Sequence, residues 1–191
     1  MVASEAVNQF ELNILREGDA WYAEACSFVR KHYLKRLGCE LSGFYPIILA
    51  RVFQGRITAA CGIRPAERES LFLEQYLDHP INALLSEDRS RIVELGGFSA
   101  DSRIEAFLLM KDIAPWLHAQ GFLTVVCTAN RPIRGCLRRL GIPFKQLAMA
   151  NSSKLIDASE DWGSYYETAP LVLAGDIAEG VNSIDRMMQA A

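Results

Sequence analysis

Hydrophobic positions in the middle of the chain follow, in turn, the period of a strand, a helix, a second strand and a second helix. The apolar run over residues 92–98 is broken at Gly96-Gly97, which predicts a strand with a bulge or turn. Between residues 102 and 121, apolar side chains recur at three- and four-residue spacings, as on a helix that lies against a sheet. A β-rich run over 122–127 and a second helix over 130–141 follow. We therefore predict a β-α-β-α unit with a break in its first strand.

Polar residues mark the start of the first helix in this unit. Ser102 is followed three residues later by Glu105, which is the spacing of a capping box. In such a box the hydroxyl and the carboxylate each accept a hydrogen bond from a free backbone N–H group. Both side chains are therefore expected to stabilise the first turn.

The rest of the chain alternates between helix-like and strand-like segments. Asp19 is a candidate cap for a helix with an apolar stripe and a basic flank. The segment Phe72–Leu85 is predicted as a helix that breaks or kinks at Pro80, and a weak helix is predicted from Ile177 onward. The remaining strands are predicted at Phe10–Arg16, Tyr45–Phe53, Ile57–Ile63, Phe144–Ala150 and Leu171–Ala174.

Length, composition and charge limit the class of protein. At 191 residues, 50% of them hydrophobic, the chain is expected to form one domain over 1–191, in which 1–9 and 177–191 are possible terminal arms. The net charge of −3 argues against a general nucleic-acid binder, which needs a strongly positive face.

Neither an export signal nor a membrane span is predicted. The start of the chain has no basic segment followed by an apolar one, and nowhere do about 18 apolar residues run together. The 5 cysteines have unrelated spacings and no nearby histidine. We expect reduced thiols in a cytoplasmic protein with no bound metal, and these features disfavour a secreted toxin.

Four segments of the chain resemble motifs of the bacterial thermostable hemolysin family. They read LFLEQYLDHPI at 71–81, VELGGFSA at 93–100, VVCTANRPIRGCLRRLG at 125–141 and WGSYYETAPLVLAGDI at 162–177. The central unit also resembles the core of the GCN5-related N-acetyltransferases, and the family looks related to acyl-homoserine lactone synthases. These resemblances imply an α/β (α+β) fold. It would have an acetyltransferase-like, mixed but mostly antiparallel sheet of about seven strands, flanked by helices, with a bulged central strand.

The resemblance also implies transfer of an acyl group from a thioester to an amine. In that fold the thioester lies in the gap where the central strand splays from its neighbour. Backbone N–H groups at the strand break would face the thioester oxygen as an oxyanion hole, because glycine lets a ligand approach the backbone closely. The substrate-binding residues expected there are Gly96, Gly97, Phe98 and Ser99.

Glu94 is the residue expected to accept the proton of the attacking amine, through a water molecule. It is the only acid in an otherwise apolar strand, where burial raises the pKa of a carboxyl group toward that of a general base. Acyl-homoserine lactone synthases have a Glu-x-Ser-Arg-Phe strand that residues 94–98 resemble, but Gly97 stands where they have arginine. The alternative for Glu94 is a buried, salt-bridged structural acid.

Other candidates follow from their positions. Glu74 is either a second catalytic carboxylate aimed into a cleft or an exposed helical residue. Arg64, at a strand end, either faces a ligand or is a surface charge. Thr128 and Asn130, in the motif after the fifth strand, are candidate substrate-binding residues.

An aromatic cluster near residue 165 either walls an apolar pocket or covers one end of the sheet. Trp162 and Tyr166 are candidate substrate-binding residues in this cluster. Many acetyltransferases have a tyrosine that protonates the leaving thiolate, and Leu137 occupies that position here. Tyr165 is the candidate that replaces it, with Tyr166 as one alternative and departure of the thiolate without an acid as the other.

The acyl donor is expected to be acyl carrier protein (ACP) or acyl-CoA. Acetyltransferases hold the coenzyme A diphosphate at the start of the helix after the bulged strand. Here Asp101 and Glu105 place negative charge at that point and only Arg103 favours an anion, which favours acyl-ACP. Arginines on the helix after the fifth strand would suit an acidic carrier protein or a phosphate, or else they are solvated. They are Arg131, Arg134 and Arg138.

We thus expect an N-acyltransferase that uses acyl-ACP or acyl-CoA and a small amine or amino acid. Two alternatives belong to other classes. A membrane-active hemolysin predicts an apolar surface segment or an amphipathic basic helix, and a non-catalytic thioester-binding module would use the same fold. The oligomeric state is left open, with the tail helix a candidate dimer element.

Overall fold

The computed structural model describes residues 10–157 and 161–189, and within them a seven-stranded sheet forms the centre. The strands are β1 Phe10–Arg16, β2 Ile47–Phe53, β3 Arg56–Pro65, β4 Ile92–Ala100, β5 Thr124–Ala129, β6 Lys145–Met149 and β7 Leu171–Asp176. The helices are α1 Tyr22–Leu37, α2 Ile81–Leu85, α3 Arg103–Ala119, α4 Arg131–Arg139 and α5 Ile177–Gln189.

The strand order in the sheet is β1-β2-β3-β4-β5-β7-β6. All neighbours run antiparallel except β4 and β5, which are parallel and are connected by α3. A parallel pair requires such a crossover, because a tight turn cannot join two strands that run the same way. The expected acetyltransferase-like, mostly antiparallel sheet is confirmed.

The central strand β4 is bulged where the sequence predicted a break. Ala60 pairs with Ser99 and Gly62 with Gly96, so that Gly97 and Phe98 together lie opposite Cys61 alone. Gly97 has a φ of 60°, in the left-handed region, which is the conformation of a bulge that requires glycine. The Gly-Gly pair therefore marks a β-bulge rather than the end of the strand.

Strands β4 and β5 separate beyond this bulge. Their parallel pairing runs from Ile92 opposite Thr124 to Leu95 opposite Cys127 and goes no further. Strand β4 nevertheless continues along β3 to Ala100, and β5 continues along β7. A gap therefore opens in the middle of the sheet, with backbone on one side of it that has no neighbouring strand.

Helices cover both faces of the sheet. Alternation along β4 turns Val93 and Leu95 toward a core built with α3 and α5. Ile92 and Glu94 point to the opposite face, where the 3-10 helix Phe72–Tyr76 and α2 pack. Helix α1 covers the same opposite face further along, over β2 and β3.

The start of α3 is capped by only half of the expected box. The Ser102 hydroxyl accepts from the N–H of Glu105 at 3.1 Å, as predicted. The Glu105 carboxylate instead accepts from Thr58 at 2.6 Å and pairs with the Arg51 guanidinium at 3.3 Å. Asp112, about two turns further along α3, also pairs with Arg51. Because Arg51 is buried, its charge needs carboxylate partners. Pairing with Arg51 therefore draws the Glu105 side chain away from the end of α3.

Two other predicted elements differ from the structure. The helix predicted over Phe72–Leu85 is instead a 3-10 helix, Phe72–Tyr76, followed by the short α2, and Pro80 stands at the start of α2. The tail was a possible terminal arm, but Ile177 and Ile184 are buried and α5 packs against α3. The other possible arm, 1–9, lies outside the described residues.

Candidate active site

The gap between β4 and β5 opens into a cavity on each face of the sheet. The first cavity, of about 130 Å³, lies on the side of α1 and the 3-10 helix, and the second, of about 140 Å³, lies on the side of α3 and α5. Residues that line both cavities are Tyr33, Leu95, Gly96, Gly97, Thr128 and Tyr165. The two cavities therefore meet at the bulge. A ligand in one cavity and a ligand in the other would contact each other at this point.

Gly96 is required where the first cavity meets the bulge. A Cβ atom at this position would collide with the hydroxyl oxygen and ring of Tyr45. The Tyr45 ring in turn lies under the Arg64 guanidinium, 4.8 Å from its centre. Burial, with the neighbouring Glu94 carboxylate, raises the pKa of Tyr45 well above its usual range, so its phenol stays protonated.

Glu94 is fully buried on the face of β4 that bears the first cavity. Its two carboxylate oxygens accept from the N–H groups of Phe72 and Leu73, each at 2.9 Å, and Oε2 lies 3.7 Å from Arg64 Nη1. Burial raises the pKa of Glu94 to about 7, and it outweighs the opposing effects of Arg64 and the two N–H groups. Glu94 is therefore a buried, salt-bridged acid, and its raised pKa also suits a general base, so neither interpretation from the sequence is excluded.

Glu94 itself is not among the residues that line the cavity, whereas Arg64 and Phe72, which contact it, are. A proton therefore reaches Glu94 only through an intervening group or a water molecule. The sequence analysis expected the proton to pass through a water molecule, and this stays a prediction.

Arg64 lies in the site and is not a free surface charge. It is cross-strand partner to Glu94, and its Nε atom lies 3.0 Å from the half-exposed Glu69 carboxylate. It also donates to the carbonyl oxygen of Phe44 at 3.4 Å. Its guanidinium is the positive group on the wall of the first cavity.

The aromatic cluster divides between the cavity wall and the core behind it. Trp162 and Tyr165 line the first cavity, and the Tyr165 hydroxyl donates to the carbonyl oxygen of Thr128 at 3.3 Å. Burial raises the pKa of Tyr165 well above its usual range, so its phenol stays protonated. Tyr166 is not among the lining residues. Its ring stacks edge-on against Trp162 and its hydroxyl meets that of Tyr76, which makes it a support of the wall.

The second cavity is apolar. Helices α3, α4 and α5 and the loop after α4 provide Met110, Ile113, Ala114, Leu117, Ile133, Leu137, Ile142, Ile177, Gly180 and Ile184 to its wall. Phe98 and Asn130 line it as well, and Asn130 also caps α4 by accepting from the N–H of Ile133. A wall of this composition fits a hydrocarbon chain.

Two thiols face this second cavity and neither is suited to be a nucleophile. Cys61 and Cys127 both contribute to its wall. Burial raises the pKa of Cys61 above its usual range and that of Cys127 to about 12. Because thiolates and not thiols attack thioesters, an acyl-enzyme on either cysteine is disfavoured.

Three further candidates from the sequence, Glu74, Ser99 and Arg103, do not line either cavity. The Glu74 carboxylate accepts from the N–H groups of Leu71 and Ile81 and pairs with Arg89 at 2.7 Å. Burial acts to raise its pKa, but Arg89 and these N–H groups hold the pKa below its usual value. The Glu74 carboxylate is thus engaged by the loop and the helix around it rather than facing either cavity. Ser99 is buried beyond the bulge, and Arg103 is exposed at the start of α3.

The predicted basic patch loses one of its three members. Arg134 is buried, and it donates to the carbonyl oxygens of Ala129 at 2.9 Å and Ala169 at 2.7 Å, so it ties α4 to β5 and to the loop before β7. Arg131 and Arg138 are exposed. On the basic flank of α1, the Arg30 guanidinium donates hydrogen bonds to the carbonyl oxygens of Leu41 and Ser42, so it helps to fix the loop after α1.

Sequence reasoning did not identify Tyr33, Phe44 and Tyr45 as site residues, although all three line the first cavity. Tyr33 lies on a helix with an apolar stripe, and Tyr45 begins the predicted strand Tyr45–Phe53. An aromatic side chain in a wall has the same sequence signal as one in the core. Their place in the site follows from the gap that they border.

Comparison with known proteins identifies the family and the fold of the chain. The model of the family "Thermostable hemolysin" matches residues 15–181. The structure of the CoA-dependent acyl-homoserine lactone synthase BjaI, with SAM and isopentyl-CoA, has a TM-score of 0.64 at 14% identity, covering 93% of this chain and 89% of that chain. FeeM, an N-acyl amino acid synthase from uncultured soil microbes, has a TM-score of 0.64 at 16% identity, covering 90% and 93%.

Tetrahymena GCN5 has a TM-score of 0.53 at 10% identity, covering 87% of this chain and 96% of that chain. Likeness at these identities shows the fold. Among curated proteins, no sequence matches the chain significantly. Within the described residues, no helix has the length and apolar character to cross a membrane, and no group of three or more His, Cys, Asp or Glu side chains is placed to hold a metal ion.

Proposed function

Because the chain belongs to the thermostable hemolysin family, and because its fold is that of acyl-homoserine lactone and N-acyl amino acid synthases, we propose that it is an N-acyltransferase. It moves an acyl group from an acyl thioester to an amino acid or another small amine. The observation that carries the proposal is the gap between β4 and β5, which joins an apolar cavity on one face to a charged, aromatic cavity on the other. An acyl chain suits the apolar second cavity, and an amine acceptor suits the charged, aromatic first cavity.

In the proposed reaction, the acceptor nitrogen attacks the thioester carbonyl carbon at the bulge. A C–N bond forms, the C–S bond breaks, and the amine proton leaves while the thiolate gains a proton. Backbone N–H groups near Gly97 have no partner on β5, and they stabilise the negative charge on the carbonyl oxygen. Such donors contribute about 3 kcal/mol to lowering a reaction barrier.

Glu94 and Tyr165 handle the two protons in this proposal. Glu94, with a pKa of about 7, accepts the amine proton through a water molecule, because its oxygens do not line the cavity. Tyr165 lines both cavities and is protonated, so it is the candidate donor to the leaving thiolate. Its hydroxyl hydrogen bond to Thr128 is long and is readily exchanged for one to sulfur.

The structure changes the balance of the arguments about the donor. Glu105 is neutralised by Arg51, so less negative charge remains at the start of α3 than the sequence implied. Arg134 is also withdrawn from the basic patch. Acyl-CoA and acyl-ACP are therefore both proposed donors.

The first experiment is to measure thiol release from a panel of acyl-CoA and acyl-ACP donors, with and without pooled amino acids and amines, and to identify products by mass. Acceptor-dependent release is the expected result. No release from any donor, together with lysis of liposomes by the pure protein, contradicts the proposal in favour of a membrane-active one.

The assignment of Glu94 is tested with Glu94→Gln. We expect kcat to fall by about 10²- to 10⁴-fold, the usual contribution of a general base, while donor binding is retained. Glu74→Gln is a matched control for the loss of a partly buried carboxylate outside the cavities, and it is expected to retain kcat in its folded fraction. Unchanged turnover in Glu94→Gln would leave the enzyme without its assigned base.

A further inference from the structure

Hydrogen-bond donors without acceptors converge on the first cavity. Within residues 10–157 and 161–189, the buried side-chain polar atoms that lack a hydrogen-bond partner are Arg64 Nε, Ser99 Oγ, Thr128 Oγ1 and Trp162 Nε1. Three of these four atoms belong to residues that line this one cavity. Such atoms are rare in folded proteins, because each costs about 1–3 kcal/mol relative to a paired one.

The chemistry of the three atoms is biased toward one kind of partner. The Trp162 indole N–H and the Arg64 guanidinium only donate, and the Thr128 hydroxyl has a proton to donate as well. Glu69 lies 3.0 Å from Arg64 Nε, but it makes no hydrogen bond there and is half exposed. The Thr128 and Trp162 donors, with the Arg64 guanidinium beside them, favour an oxygen-rich, negatively charged group on a ligand.

The rest of the cavity wall describes the remainder of that ligand. The rings that line it are those of Tyr33, Phe44, Tyr45, Phe72, Trp162 and Tyr165. These rings favour an apolar or aromatic group of modest size, in keeping with a volume of about 130 Å³. Glu94 lies behind this wall, 3.7 Å from Arg64, and it suits a basic nitrogen at the bulge.

From this arrangement we infer that the first cavity binds the carboxylate of an acceptor α-amino acid with an apolar or aromatic side chain, through Arg64, Thr128 and Trp162. The inference rests on the proposed acyl transfer and specifies its acceptor. The carboxylate of such an amino acid then meets Arg64, and its amino group lies on the side of Glu94, which it reaches through a water molecule. An amine without a carboxylate leaves the Thr128 hydroxyl and the Trp162 N–H without an acceptor.

The test compares each amino acid with its decarboxylated amine. L-Phenylalanine is paired with phenethylamine, and L-leucine with 3-methylbutylamine. Binding is measured by calorimetry on the full chain, with and without a non-hydrolysable acyl-CoA analogue, and acyl transfer is measured separately. We expect each amino acid to bind at least about tenfold more tightly than its amine, because hydrogen bonds to a charged group are the strong ones.

Conservative variants assign the recognition to these side chains. Trp162→Phe keeps an aromatic wall but removes the N–H, and Thr128→Val keeps the β-branched shape but removes the hydroxyl. Each is expected to raise the KM for the amino acid about tenfold, with kcat changed less than threefold, and to leave the weak binding of the amine unchanged. Trp116→Phe and Thr124→Val are matched controls, since neither residue lines a cavity, and both are expected to behave as the unaltered protein does.

The outcomes separate this inference from the proposed acyl transfer. Selective binding of amino acids without any transfer supports the carboxylate site and contradicts the acyltransferase. Transfer to decarboxylated amines as efficient as transfer to amino acids overturns the carboxylate site and leaves the acyltransferase standing. Equal responses of Trp162→Phe and Trp116→Phe overturn the assignment of Trp162, and an absence of both binding and transfer contradicts both proposals.

Discussion

Glu94 shows how one residue combines a structural and a chemical role. Its carboxylate holds two N–H groups at the start of the 3-10 helix and lies near Arg64, yet burial dominates and raises its pKa to about 7. A carboxyl group with such a pKa carries its proton into the folded state at mildly acidic pH. The stability of the protein therefore depends on the same property that suits Glu94 to be a base.

The predicted consequence is a fall in stability as pH rises. The pKa of Glu94 is higher in the folded protein than the ordinary value of 4.5, so its contribution is complete below about pH 4.5 and is lost as pH rises through about 7. The free energy of unfolding is expected to fall by about 2–3 kcal/mol from about pH 5 to about pH 8 through this group. Urea unfolding of the unaltered protein and of Glu94→Gln across this range measures it, and a constant difference between the two contradicts the raised pKa.

At the scale of elements, the bulge in β4 creates the site. The Gly96-Gly97 pair places one residue against Tyr45, where a Cβ atom would collide, and the next in the left-handed region. The bulge lies where the pairing of β4 with β5 stops, so the two glycines and the gap form one structural feature. Glycine is needed at both positions, for two different reasons.

Substitution of Gly96 tests whether the bulge requires glycine next to Tyr45. Gly96→Ala forces its Cβ into Tyr45 and is expected to destabilise the protein by about 1–3 kcal/mol while closing the first cavity. In the double variant with Tyr45→Leu, the collision is relieved, and part of the lost stability should return. Thermal unfolding of the two single variants and the double variant measures the coupling. Strict additivity would show that Gly96 and Tyr45 do not meet.

At the scale of the whole molecule, the second cavity is assembled from distant parts of the chain. Its wall combines β4 and β5 with α3, α4 and the C-terminal α5. Gly180 on α5 faces Ile142 across this wall, at 4.0 Å from the position of an added Cβ. The last helix therefore limits the space at the end of the apolar cavity.

A larger side chain at this point is expected to shorten the preferred acyl chain. Gly180→Leu fills part of the cavity, and each methylene of the donor that it excludes costs about 0.8 kcal/mol, or about fourfold in kcat/KM. The measurement is kcat/KM across donors of increasing chain length. Gly180→Ala is the matched control, because its Cβ makes only an ordinary contact with Ile142. An unchanged chain-length profile in Gly180→Leu would exclude the second cavity as the acyl site.

Much of this architecture was already determined by local sequence patterns. The periods of 2 and 3.6 predicted the strands and helices of the β-α-β-α unit, and the Gly-Gly pair predicted its break, because these signals act over neighbouring residues. The isolated acid in an apolar strand likewise predicted the buried Glu94 and the direction of its pKa shift.

The tertiary structure alone decided which side chains face the gap. Glu74 and Arg134 resembled site residues in the sequence, but Arg89 and the carbonyl oxygens of Ala129 and Ala169 engage them in the fold. Trp162 and Thr128, 34 positions apart in the numbering, lie on one cavity wall with unpaired donors. Hydrogen-bond partners and cavity walls come from segments distant in the chain, so no local pattern specifies them. The sequence determined the elements and their break, and packing determined the chemistry of the site.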